Sequence, residues 1–204
     1  MNIENWLEGQ WALILGSSSG FGAEVSKKLS DYGVNIIGVH LDRKGTMKNV
    51  EEIISYIESN NVIAKFYNIN AADEEKRNEC LNEIEDIIGN SDKKIKILLH
   101  SLAFGSLKPY VSEDSSKNVT QKNMDMTLDV MANSLVYWTQ DIHHRSLFSS
   151  NASIFAMSSA GSRKIWPTYG PVSAAKSALE SHIRQLAFEL APVGISANSI
   201  CAGV

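Results

Sequence analysis

Cysteine is scarce: Cys80 and Cys201 are the only two in 204 residues. They are too few for a disulfide framework, and neither sits in a nucleophile motif or at metal-ligand spacing with the five histidines. With no signal peptide at Met1-Asn2-Ile3-Glu4, a reducing cytoplasm is the expected compartment. Long hydrophobic runs are missing as well. None approaches the roughly 20 residues that span a bilayer, which argues against a membrane role. Positive charge is not in excess either: a net charge of -4 argues against a nucleic-acid surface, while leaving room for a local basic patch facing an acidic carrier protein. There are no internal repeats, low-complexity tracts or linkers, so one domain is expected over residues 1–204.

What is present is apolar periodicity with regular punctuation. Strand-like runs near residues 11–15, 35–39, 62–67, 95–100, 153–157 and 196–200 alternate with helical stretches near 21–31, 46–59, 74–88, 123–144 and 170–190. This alternation predicts an α/β fold, a doubly wound parallel sheet of Rossmann type with helices on both faces and three layers in all. The irregular stretch from Ala103 to Gln121 reads mostly as a solvated loop.

Two motifs carry chemistry. After the strand Trp11-Ala12-Leu13-Ile14-Leu15 comes Gly16-Ser17-Ser18-Ser19-Gly20-Phe21-Gly22, then an amphipathic helix with Val25, Leu29 and Tyr32 inside. Strand, glycine turn and helix form a cradle in which bare backbone approaches a pyrophosphate held at the helix N-terminus. Far downstream, Tyr169 and Lys176 stand at Tyr-x6-Lys spacing at the start of a helix. At about 100° per residue, seven steps fall about 20° short of two turns, so both side chains leave one face roughly 10 Å apart along the axis. That separation suits gripping one elongated ligand between them. A free phenol, with a pKa of about 10, is a poor acid at neutral pH, but a helix start and a nearby lysine favour its use.

These motifs resemble the short-chain dehydrogenase/reductase family over essentially the whole chain. Common members have Tyr-x3-Lys, but the residue four before Lys176 is Val172, which cannot ionise. Tyr-x6-Lys is similar to the enoyl-acyl-carrier-protein reductases. So is His100-Ser101-Leu102-Ala103-Phe104-Gly105 after the fourth strand. The usual active-site asparagine is replaced at the aligned position by Met131, and Ile200-Cys201-Ala202-Gly203-Val204 stands where the family has its Pro-Gly segment.

The resemblance implies NADPH-dependent reduction of a trans-2-enoyl thioester borne on acyl carrier protein or coenzyme A. Tyr169 would donate to the enolate oxygen, Lys176 would hold the nicotinamide ribose, and Ser158 or Ser159 would line the acyl end. The cofactor would meet Gly16, Ser17, Ser18, Ser19, Gly20, Phe21 and Gly22. It would also meet Asn68 and Ile69 at its adenine, Ser101, Leu102 and Ala103 after the fourth strand, and Ala202, Gly203 and Val204 after the sixth. NADPH is preferred to NADH because His40 replaces the acid that NAD-preferring relatives carry, and Arg43 and Lys44 follow; Asp42 is the residue that would serve NAD. Ser159 stands where many enoyl reductases have a second tyrosine, and carbonyl-reducing members use a hydroxyl there, so 3-oxoacyl or other carbonyl reduction is the alternative. A nucleotide-binding scaffold or sensor is the non-enzyme alternative. His100 reads as a satisfied core histidine, and Trp166 and Pro167 as packing. The family assembles as tetramers, and apolar Leu135, Trp138, Leu179, Ile183 and Leu186 suggest burial of two helices against a partner. Family members continue past the position of Val204 into a substrate loop, a helix and a last strand, so the chain reads as a C-terminally incomplete domain.

Overall fold

The computed structural model describes residues 6–89 and 91–202. β1 (Trp11–Leu15) is buried along its whole length, which accounts for its unbroken apolar run: a strand covered on both faces offers polar residues no side. Its alternate side chains divide between two cores. Leu13 and Leu15 enter one with Ile84, Trp138 and Leu179, while Ala12 and Ile14 enter the other with Ala23, Ile53 and Ile57. From β1 the chain continues through α1 (Gly20–Ser30), β2 (Asn35–His40), α2 (Met47–Ser59), β3 (Ala64–Asn68), α3 (Glu74–Ile88) and β4 (Ile95–His100). It then passes through α4 (Gln121–Leu128), α5 (Ser134–His144), β5 (Phe148–Ser159), α6 (Gly170–Leu190) and β6 (Ser196–Ala202). The six strands are parallel in the order β3-β2-β1-β4-β5-β6. α1 and α2 cover one face, and α3, α5 and α6 the other. This is the doubly wound Rossmann-type sheet that the alternation predicts.

Local signals explain several boundaries. α3 starts at Asp73, whose carboxylate accepts from the Lys76 N–H, with Glu74 and Glu75 in the first turn beside the positive end of the helix. α6 carries Pro171 in its first turn, where the missing N–H costs nothing, and the chain leaves its C-terminal end through Gly194 at φ +76°.

Two elements differ from expectation. The single helix expected over 123–144 is two helices joined by a π-helical turn, Asp129–Asn133. A capping box between Thr120 and Asn123 starts α4 earlier, and the wider turn puts Val130, Met131 and Ala132 inside together. β5 begins at Phe148 instead of 153. Its opening Ser149-Ser150-Asn151 is polar and contains Asn151 at φ +56°, so it reads as loop, yet it pairs beside β4 through a bulge between Ile95 and Ile97. A third correction concerns the helix faces assigned to a partner. Leu135, Trp138, Leu179, Ile183 and Leu186 are all buried within this one chain, so they are not the residues that a partner would cover.

Candidate active site

Between β1 and β4 the chain switches from one half of the sheet to the other, and a cleft of about 360 Å³ opens at the carboxyl ends of those strands. Gly16, Ser18, Ser19, Gly20 and Phe21 line one wall. The turn depends on two close approaches. A Cβ on Gly16, whose φ is +92°, would sit 2.6 Å from the Ser101 carbonyl oxygen, and a Cβ on Gly22 would overlap the carbonyl of Gly16. α1 begins at Ser19 without a side-chain cap and without an acid in its first turn, so its leading N–H groups stand free for an anion. Gly22 supports the wall without lining it. Ser17 is a correction: it is buried, and its hydroxyl donates to the Val39 carbonyl at 3.3 Å, pinning the turn to β2 instead of facing a ligand.

The opposite wall comes from the ends of β2, β3 and β4. His40, Ile69, Ser101, Leu102 and Ala103 all line the cleft. Asn68 does not. Its side chain is spent on the backbone of Asp42, accepting from the N–H at 2.9 Å and donating to the carbonyl at 3.0 Å, so the adenine contact expected of it is replaced by a clamp on the β2 end. Asp42 is bound to His40 Nδ1 at 2.9 Å and accepts from Thr46 Oγ1 at 2.7 Å. Burial pushes its carboxyl upward, but hydrogen bonds from Ser18, Thr46 and His40 outweigh that and hold it below the ordinary value, so the group is charged. Arg43 and Lys44 stand exposed, outside the cleft lining. Ala202 ends β6 and does not line the cleft; Gly203 and Val204 lie outside the described residues.

Lys176 is 6% exposed, and its ammonium donates to the carbonyls of Met157 at 2.6 Å and Leu102 at 3.3 Å. Two of its three N–H donors are thus used, and Leu102 is itself in the cleft wall. Desolvation pushes its pKa down to about 8 from 10.5. The unfolded side chain keeps its proton up to about 10.5, so between these values the unfolded state holds more protons and stability rises with pH. Measured by urea unfolding, wild type is expected to gain up to about 3 kcal/mol over Lys176→Met between pH 8 and 10.5. Parallel pH dependences would show a solvated ammonium.

Tyr169 precedes α6 immediately, and its hydroxyl lies 3.2 Å from Ser159 Oγ, which also accepts from the Gly161 N–H at 3.2 Å. Trp166 meets the Tyr169 ring edge-on at 5.2 Å between centroids, so the expectation that Trp166 packs is met there. Ser158 is a correction. Its hydroxyl donates to Glu180 Oε1 at 2.6 Å and does not line either cleft; Ser162 donates to the same oxygen at 2.8 Å. Glu180 therefore ties the turn that carries Ser159 to α6. Burial raises its carboxyl, but the hydroxyls of Ser158 and Ser162 and the Arg163 charge hold it below the ordinary value. The sequence gives one hint of this role, since Glu180 lies one turn beyond Lys176. His100 is buried, but only half satisfied. Ser134 Oγ donates to Val130 O at 2.8 Å and so accepts from His100 Nε2 at 2.9 Å, leaving Nδ1 unpartnered. Desolvation, aided by the Lys176 charge, pushes its pKa to about 3.

Tyr169 lines a second cleft of about 600 Å³, bounded by the loop around Tyr110 and the turn around Ile165. An apolar cluster of Val130, Met131, Val172 and Ala175 packs against Tyr169 and against Leu102 and Met126 of the first cleft. One apolar cluster thus touches a residue of each cleft, although no residue lines both. Met131 and Val172, the positions that depart from the common family pattern, both belong to that buried apolar cluster and line neither cleft. Among the described residues, no group of three His, Cys, Asp or Glu side chains is placed to hold a metal ion. No helix among them is long and apolar enough to cross a membrane.

A family model described as "Enoyl-(Acyl carrier protein) reductase" matches residues 16–204. The chain belongs to that family. It is 26% identical over 181 residues to the enoyl-[acyl-carrier-protein] reductase [NADH] of Enterococcus faecalis, covering 87% of this chain and 65% of that protein. It is 23% identical over 197 residues to the tetrahydroxynaphthalene reductase of Pyricularia oryzae, covering 97% of this chain and 65% of that one. The chain spans less than two thirds of the length of either relative. Among solved structures, a short chain dehydrogenase from Burkholderia cenocepacia in complex with NADP superimposes with a TM-score of 0.81 at 21% identity, over 97% of this chain and 75% of the other. That likeness places this enoyl-reductase family member in the short-chain dehydrogenase fold.

Proposed function

We propose that this chain forms the nucleotide-binding and proton-donating part of an NADPH-dependent trans-2-enoyl thioester reductase. The observation that carries the reading is Tyr169 on one cleft, packed against an apolar cluster that also meets Leu102 and Met126 of the glycine-turn cleft. The first cleft suits a dinucleotide: two positions on its turn would close if they bore a Cβ, and the uncapped start of α1 offers N–H groups to a pyrophosphate. When bound, the nicotinamide supplies a hydride to the β-carbon of the unsaturated thioester. Tyr169 donates a hydrogen bond to the thioester oxygen, where negative charge gathers. Lys176 keeps one donor for a ribose hydroxyl and fixes the cleft wall through Leu102. Relatives named for thioester reduction support the substrate class.

Arg43 and Lys44 beside the mouth support NADPH; the charged Asp42, and relatives named for NADH, favour NADH. A second reading, carbonyl reduction, is favoured by the Ser159–Tyr169 contact, which pairs two hydroxyls as a ketone oxygen requires. Steady-state rates on the full-length protein separate the readings. Crotonyl thioester is expected to turn over, faster with NADPH than with NADH; turnover of acetoacetyl thioester alone overturns the proposal.

A further inference from the structure

The second cleft is lined by two lysines that the proposed reaction does not use. Lys108 enters from the loop before Pro109, and Lys164 from the turn before Ile165. Neither forms a hydrogen bond through its ammonium or an ion pair with any described residue, and no carboxylate lines the cleft. Nearby cations are committed: Arg163 pairs with Glu180 at 3.5 Å, and Lys117 with Asp114 at 3.7 Å. On a chain of net charge -4, two lysines without an acidic partner on one cleft favour an anion there. The remaining walls are mostly apolar and aromatic, chiefly Tyr110 and Trp166, with hydroxyls at Thr168 and Ser173 and with Val111 and Ile165 left 86% and 99% exposed. Such a lining suits an elongated, largely uncharged ligand that carries an anion for the lysines and reaches Tyr169.

We propose that Lys108 and Lys164 bind the phosphate of a 4′-phosphopantetheine arm, which lies against Tyr110 and Trp166 and carries the acyl thioester to Tyr169. The identity of the arm rests on the enoyl thioester reading; the anion requirement rests on the cleft alone. The same arm occurs on coenzyme A and on carrier proteins. Titration calorimetry on the full-length protein compares 4′-phosphopantetheine with pantetheine, which differs only in lacking the phosphate. The phosphorylated ligand is expected to bind about tenfold tighter or better. In the double variant Lys108→Met, Lys164→Met that preference is expected to vanish, with pantetheine binding unchanged. Equal affinities in wild type, or a preference that survives in the variant, overturns the proposal.

Kinetics supplies the second arm. The double variant is expected to raise KM about tenfold for crotonyl-phosphopantetheine with kcat unchanged, and to leave crotonyl-N-acetylcysteamine unaffected. A uniform rise for both overturns it. Crotonyl-coenzyme A and crotonyl carrier protein, measured side by side, tell which source uses the pair. Failure of the two readings is distinguishable: phosphate-dependent binding without turnover of any enoyl thioester sinks the reductase assignment and leaves this site, and turnover without phosphate dependence does the reverse.

Discussion

Tyr169→Phe is expected to lower kcat for a crotonyl thioester by about 10²- to 10³-fold, the range lost when one preorganised donor to a developing oxyanion is removed. The ring stays, so its edge contact with Trp166 and its packing on the Val130 and Met131 cluster persist. Only the hydroxyl goes. Its one hydrogen bond among the described residues is the 3.2 Å contact with Ser159, which is worth about 1 kcal/mol, so thermal stability is expected to change little. Affinity for NADPH is also expected to hold, because Tyr169 does not line the first cleft. Ser159→Ala then separates the two reductase readings. In enoyl reduction it changes rate by a few fold, since Ser159 only orients the phenol; in carbonyl reduction it falls nearly as far as Tyr169→Phe, since both hydroxyls meet the substrate oxygen. Undiminished turnover in Tyr169→Phe would remove the phenol from the chemistry altogether.

Gly22→Ala is the second large effect. The added methyl would run into the Gly16 carbonyl and touch Ile14 Cγ2 at 3.4 Å. Gly16 cannot retreat: its N–H donates to Val39 O at 2.8 Å, and its Cα faces the Ser101 carbonyl. α1 must therefore lift from β1, which strips contacts from the core around Ile14 and Ala23. A loss of about 2–4 kcal/mol is expected, seen as a fall in Tm of roughly 5–15 °C, together with loss of dinucleotide binding. An unchanged melt with intact NADPH affinity would mean that the turn shifts freely and is no fixed cradle.

Much of the fold was legible because its signals are local or strongly periodic. β1 shows itself through five consecutive apolar residues, α3 through Asp73 followed by acids, and α6 through Pro171 at its start. The turn Asp129–Asn133 was not, because one extra residue in a helix leaves the flanking 3.6-residue pattern nearly intact. For the site, the glycine turn and the Tyr169–Lys176 spacing were visible as motifs. What Ser158 and Asn68 do was not, since each is decided by a partner more than twenty positions away, Glu180 in one case and Asp42 in the other. The division into two clefts was equally hidden. It depends on a loop and a turn, around Tyr110 and Ile165, that carry no periodic signal.

The carbonyls that Lys176 engages belong to neighbouring ridges of the sheet, Leu102 just past β4 and Met157 within β5. The ammonium thus works as a rivet between two segments whose oxygens would otherwise face each other unneutralised. Removing this side chain would leave both oxygens without that partner, whatever the cleft binds. Survival of that one side chain in a distant homologue therefore testifies to architecture before it testifies to turnover.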